Sequence, residues 1–120
     1  MITQYRFITP EMLNCNGTLF GGTTMQWMDE VAFIAATRIS RQKMVTVSVD
    51  NLKFISPIKP DSFVEISAQL LKAGHASLNI IVEVFAEGMY SGDRGLSASA
   101  VFKFAAVGAD DKPCLITKSH

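Results

Sequence analysis

The sequence predicts an α+β fold: an antiparallel sheet of about five strands wrapped around one long central helix, within a single domain covering residues 1–120. Three observations predict it. Residues 23–40 contain no helix breaker and are rich in Ala, Met, Gln and Glu, which favour the helical state. One segment before that helix has strand composition, and four after it alternate apolar with polar residues, the period of a strand with one buried face. The turn signals between the later segments are spaced for hairpins, and no second long helical pattern follows. A sheet curled around a single buried helix is then the economical architecture.

Residues 3–9 are β-branched and aromatic and read as a strand, closed by Pro10. Residues 11–22 are loop, and the helix runs from Thr23 to about Ser40 with a polar exit at Arg41, Gln42 and Lys43. Residues 44–55 alternate through Val45, Val47 and Val49, then through Leu52 and Phe54. The phase slips at Asp50-Asn51, which predicts a bulge. Pro57, Lys59, Pro60 and Asp61 make a turn, and residues 62–72 alternate again. Gly74-His75 is the next turn or a bulge, and residues 77–87 place Leu78, Ile80, Val82 and Val84 on one face. A polar connection at 91–95 leads to residues 96–107, which alternate through Ala98, Ala100, Phe102 and Phe104. From Gly108 a polar tail is expected to fray.

Composition narrows the function classes. Apolar residues make up 48% of the chain and charged residues only 18%, which is low for a small monomer that must cover its surface with charge. A large subunit interface, and a monomer unstable on its own, are expected. Net charge is zero, so there is no electrostatic footprint for nucleic acid or an anionic membrane. Residues 1–10 lack the apolar core of a signal peptide, and no apolar run approaches a membrane span. Cys15 and Cys114 have neither metal spacing nor an evident pairing and read as free thiols of a reducing cytosol. The expected location is the cytoplasm, with no metal.

The chain is organised around residues 14–38. Asn14, Asn16 and Gly17 are loop formers, and Gly21-Gly22 lets another group approach the backbone closely. On a helical wheel, Met25, Ala32 and Ala36 lie within roughly 60° of Asp29 on one side and Phe33 about 40° away on the other. Gln26, Glu30, Thr37 and Arg41 form a narrow polar strip; Trp27, Met28, Val31, Ile34, Ala35 and Ile39 complete a wide apolar arc. Asp29 therefore sits at the edge of the buried surface, where a carboxylate is costly unless paired or hydrogen-bonded. It is either a structural acid bonded to backbone or to a basic partner, or a base or nucleophile activated by partial loss of solvent. The glycines favour the second reading. A helix N-terminus offers free N–H groups and the positive end of a dipole, and free donors near a carboxylate are the parts of an acyl-transfer site. Asp29 lies about two turns beyond Gly21-Gly22, so a substrate or a second subunit has to bring the two together.

These residues resemble the hotdog-fold acyl-CoA thioesterases, in particular the short bacterial branch typified by YciA. The matching positions are Asn14, Gly17-Thr18-Leu19-Phe20-Gly21-Gly22, Trp27-Met28-Asp29-Glu30, Arg38, Val45-Thr46, Val49-Asp50, Phe54, Pro57-Ile58, Gly74, Ser77 and Phe102-Lys103-Phe104. They run in order through nearly the whole chain. Gly-Gly followed seven residues later by Asp is the specific part. The resemblance implies that the helix is wrapped by the sheet, that two subunits join sheets edge to edge, and that they share two sites. Asp29 is implied as general base or nucleophile on the thioester carbonyl. Asn14 of the partner is implied to hold the water or the carbonyl. Gly22 and Thr23 would supply oxyanion N–H groups, and Gly74, His75, Ala76 and Ser77 would line the pantetheine. The substrate is acyl-CoA, with coenzyme A part of the substrate and no separate cofactor. Dimers assembling further into a hexamer (a trimer of dimers) or a tetramer are implied as well.

Two other functions compete. One is a hotdog module that binds acyl-CoA without hydrolysing it, as a sensor or regulator; the presence of both Asn14 and Asp29 speaks for the enzyme. The other is a dehydratase or hydratase, whose chemistry wants a histidine near the acid, where His75 and His120 are poorly placed. The CoA phosphates call for Lys or Arg, with Arg38, Lys53, Lys59, Lys72 and Arg94 as candidates and surface solvation as the ordinary role of each.

Overall fold

Alternation along the strands decides which face is covered. In the computed structural model, which describes residues 1–117, β1 (Ile2–Phe7) is followed by a short 3-10 helix (Pro10–Met12) and by α1 (Gly21–Ser40). Four strands follow: β2 (Met44–Phe54), β3 (Ser62–Ala73), β4 (Ser77–Gly88) and β5 (Arg94–Ala106). They form one antiparallel sheet in the order β1-β3-β4-β5-β2. This is the α+β architecture expected above. His120 lies outside the described residues.

The core sits between α1 and one face of the sheet. Val64, Ile66 and Ala68 of β3, Leu78, Ile80, Val82 and Val84 of β4, and Phe102 and Phe104 of β5 are buried there. They meet Met28, Val31, Ala32, Ala35 and Ala36 of α1 in one cluster. At about 25 cal/mol per Å² of apolar surface removed from water, this contact is the main term holding the helix on the sheet. The bulge expected at Asp50-Asn51 is present. The pairing of β2 with β5 shifts between Asp50 and Lys53, and Asn51 takes φ 54°, a left-handed angle that Asn accepts more readily than most residues. A second shift, between Thr46 and Ser48, has no counterpart in the sequence reading.

Two expectations are corrected. The helix begins at Gly21, not Thr23. The two glycines are thus its first turn, and Thr24 N–H donates the first helical bond to Phe20 O at 3.1 Å. The tail does not fray at Gly108. Gly108 N–H bonds Lys112 O, Val107 bridges Pro113, and Cys114 N–H bonds Ala106 O. Further along, Ile116 N–H donates to His75 O, and Gln42 donates to Leu115 O and accepts from Thr117 N–H. Lys43 pairs with Asp111, and Cys114 and Ile116 pack on the core. Backbone groups that find partners do not stay loose.

The radius of gyration is 15.5 Å, against about 14 Å for a compact chain of this length. The excess comes from a long open sheet. Its edge strand β2 exposes Val45, Val47 and Phe54, and an apolar edge with free backbone groups is a template for pairing with another strand.

Candidate active site

Asp29 is half-buried on α1 and faces the end of the sheet formed by β2 and β5. Thr46 Oγ1 donates to Asp29 Oδ1 at 2.9 Å, which fixes one carboxylate oxygen and leaves the other without a hydrogen-bond partner among the described residues. The sequence pairs neither residue with the other: they lie on a helix and a strand, and only the packing of α1 on β2 brings them within reach. Thr46 is one of the family-like positions of the sequence, which by itself assigns its side chain no role. Asp29 and Thr46 line a surface hollow with Gly22, Met25, Gln26, Val49 and Phe102. Gly22 and Asp29 thus line one hollow of a single chain, though about 10 Å apart along the helix, so that acting on one carbonyl still calls on the substrate or a second subunit. Seven residues bring a helix back to nearly the same face.

The start of α1 is bare. Its N-cap is Phe20, which offers no side-chain hydrogen bond. Among the described residues the N–H groups of Gly22 and Thr23 have no intrahelical acceptor, as the first turn of any helix leaves them. A Cβ on Gly22 would meet no protein atom within 4 Å, whereas one on Gly21 would stand 3.3 Å from the Phe54 ring. Gly21 is needed for packing. Gly22 is open toward the hollow, with the positive end of the helix dipole behind it.

Asn14 has a different environment. Its Oδ1 accepts from Asn16 N–H (2.9 Å), Thr18 N–H (3.1 Å) and Thr18 Oγ1 (3.2 Å). Three donors on one oxygen settle the orientation of the amide. Its backbone closes the same loop, with Asn14 N–H on Thr18 O and Gly17 N–H on Asn14 O. The Asn14 carboxamide oxygen therefore builds the loop, and its Nδ2 has no protein acceptor among the described residues. Asn14 does not line the hollow that holds Asp29.

Gly74, His75, Ala76 and Ser77 form the β3–β4 hairpin turn, closed by Gly74 N–H on Ser77 O at 2.8 Å. The C-terminal segment and β5 pin this turn through Ile116 N–H on His75 O and Ala106 N–H on Ala76 O. None of the four lines the Asp29 hollow.

Arg94 is committed elsewhere. It donates to both Glu65 carboxylate oxygens (3.0 and 2.7 Å) and stacks 3.7 Å above the Phe85 ring. These hydrogen bonds hold the Glu65 carboxyl below the usual carboxylate value. A guanidinium so placed fixes the outer face of the sheet. Arg38, Lys53, Lys59 and Lys72 make no salt bridge among the described residues and stay available to an anion. Cys15 and Cys114 are free thiols. No group of three or more His, Cys, Asp or Glu among the described residues could hold a metal ion, and none of their helices is long and apolar enough to cross a membrane.

The chain is similar to known proteins over most of its length. The family model of the thioesterase superfamily matches residues 16–92. The chain is 33% identical over 106 residues to a Bacillus subtilis protein named uncharacterized acyl-CoA thioester hydrolase YkhA, covering 88% of this chain and 62% of that protein. It thus spans less than two thirds of that relative's length. It is 34% identical over 107 residues to the Escherichia coli acyl-CoA thioester hydrolase YciA, covering 87% of this chain and 81% of YciA. The crystal structure of the hexameric thioesterase y2039 from Yersinia pestis superimposes with a TM-score of 0.89 at 33% identity, covering 96% of this chain and 94% of that one.

Proposed function

We propose that this chain, which belongs to the thioesterase superfamily, is an enzyme that hydrolyses the thioester of acyl-CoA to free coenzyme A and a carboxylic acid. One observation carries the reading: a carboxylate oriented by Thr46 lines the same hollow as Gly22 at a bare helix start. Hydrolysis of a thioester needs an activated oxygen to attack the carbonyl carbon and donors for the oxyanion that results. Asp29 supplies the first. As base it takes a proton from the attacking water and returns it to the departing thiolate. As nucleophile it attacks the carbonyl carbon and expels the coenzyme A thiolate, leaving an anhydride that water opens to the carboxylic acid and the free Asp29 carboxylate. The N–H groups of Gly22 and Thr23 supply the second. Coenzyme A enters as part of the substrate, and the chemistry calls for no further cofactor. Gly74, His75, Ala76 and Ser77 line the pantetheine in this reading, with the turn held by the C-terminal segment.

The Nδ2 of Asn14 completes the site from a second subunit, where it holds the water or the carbonyl. Two copies joined along β2 cover Val45 and Val47, and such dimers assemble further into a hexamer or tetramer. The isolated subunit is then unstable, and its apparent thermal stability falls on dilution. A well-folded monomer in sedimentation at working concentration would contradict this.

The decisive test of activity is thiol release. A panel of acyl-CoAs with a thiol-reactive dye should show turnover. Tight binding of acyl-CoA in calorimetry with no thiol released would replace the enzyme by a binding module.

Gly22→Ala tests the helix start. The added methyl meets no protein atom, and alanine favours a helix over glycine by up to about 1 kcal/mol. The variant should be as stable as its parent or more so. Its methyl projects toward the hollow where the carbonyl must approach, so kcat/KM should fall by a factor on the order of 10 or more. Unchanged kcat/KM in a stable Gly22→Ala protein would remove Gly22 from the oxyanion site.

A further inference from the structure

We infer, on the footing of the hydrolase reading above, that the hollow on the other side of the Gly21-Gly22 peptide receives the acyl group, and that Phe54 is the wall that limits its length. Two hollows meet at this peptide. Gly22 lines the one that contains Asp29. Gly21 lines a second, of about 300 Å³, at the start of the helix. A thioester carbonyl held at the Gly22 N–H carries two substituents. One is a polar pantetheine chain; the other is the acyl group, which requires an apolar cavity close to the carbonyl carbon.

The second hollow has that character. Leu19, Ile58 and Ala98 line it and are each at most 6% exposed. The Thr18, Thr24 and Ser56 hydroxyls are turned onto protein acceptors, and Ser97 Oγ accepts from Ser56. Thr18 donates to Asn14 Oδ1, Thr24 to Phe20 O, and Ser56 reaches Leu96 O and Ser97 Oγ. Groups satisfied in this way leave little for a polar ligand to bond, and the cavity favours hydrocarbon. Its volume is at the small end for ligand cavities, about 300 Å³ and upward, which suits a short acyl group.

Phe54 closes one side. It ends β2, is 54% exposed, and lies against the backbone of Gly21 closely enough that a Cβ there would stand 3.3 Å from its ring. A large exposed aromatic in contact with the first residue of the helix, next to the oxyanion donors, is placed to meet a chain that grows past the cavity. The buried floor is fixed by the core. The ring at the rim is the part that substitution can remove without opening a void in that core.

The test compares Phe54→Ala and Phe54→Trp with the parent on acetyl-, butyryl-, hexanoyl-, decanoyl- and palmitoyl-CoA, with sedimentation to compare assembly. One methylene in an apolar pocket is worth about 10–200-fold in kcat/KM. Phe54→Ala should therefore raise the decanoyl-to-butyryl ratio of kcat/KM by about tenfold or more, and Phe54→Trp should lower it. An unchanged ratio in both active variants overturns the assignment. So does equal loss on every chain length, with or without altered assembly, because a wall sets the ratio and not the chemistry. Failure of the hydrolase reading itself looks different: the parent protein would then release no thiol from any acyl-CoA.

Discussion

Asp29→Asn should fold like the parent and lose kcat by a factor on the order of 10² or more, with little change in KM. The substitution keeps the shape of the side chain and keeps the Oδ1 that accepts the Thr46 hydroxyl at 2.9 Å, so the helix–sheet contact at this point survives. The neutral amide neither takes a proton from water nor attacks a carbonyl. The loss therefore falls on the chemical step, and substrate contacts made elsewhere persist, which leaves KM near its parent value. Circular dichroism and thermal melting establish that the variant is folded, and steady-state kinetics on the best acyl-CoA of the panel give the comparison. A folded Asp29→Asn protein with near-normal kcat would leave Asp29 as a structural acid bonded to Thr46, the other reading that its position at the buried edge allows.

The second large effect is a recovery. Asn14→Ala and Asp29→Ala should each be nearly inactive alone, and a mixture refolded together should regain about a quarter of parent activity. The geometry of one chain motivates this. Asn14 lies in a loop before the helix start and does not line the hollow of its own Asp29. Between Gly22 and Asp29 the helix rises about 10 Å. A two-fold axis beside the helix would lay the loop of each subunit over the helix of its partner, because isologous contacts are reciprocal. In a mixed dimer one site then collects both substitutions and the other collects neither. Random pairing makes about half of all dimers mixed, hence about a quarter of sites intact. If both residues act within one chain, every site carries one substitution and mixing restores nothing. Absence of recovery, with mixed dimers demonstrated by mass spectrometry, rules the shared site out. Asn14 Oδ1 also closes its own loop through three hydrogen bonds. Asn14→Asp keeps that acceptor and replaces Nδ2, so it separates loop collapse from loss of the donor and should be run in parallel.

The strands, the single helix and the bulge at Asp50-Asn51 were legible in the sequence because each is a local matter. Period-two alternation marks a strand with one buried face, an uninterrupted run of helix formers marks a helix, and Asn51 in mid-strand breaks the alternation where its backbone takes φ 54°. The presence of an acid at the edge of the helix's buried arc was legible for the same reason, since it follows from spacing along one element. Contacts between elements were not. Hairpin spacing marks β3, β4 and β5 as neighbours, but in the order β1-β3-β4-β5-β2 the places of β1 beside β3 and β2 beside β5 depend on which edges meet after long excursions of chain, and no local pattern encodes them. That order sets β2 at the edge and brings Thr46 to Asp29. It also leaves Val45 and Val47 uncovered. The helix starts at Gly21, where the Phe54 ring lies against a backbone without a Cβ, a contact between distant segments that the low helix propensity of two glycines does not reveal. The tail after Gly108, polar enough to be read as loose, is held because Gln42, His75 and Ala106 offer it hydrogen-bond partners. Periodicity determined what each segment is; only the packing of distant segments decided which side chains share a site.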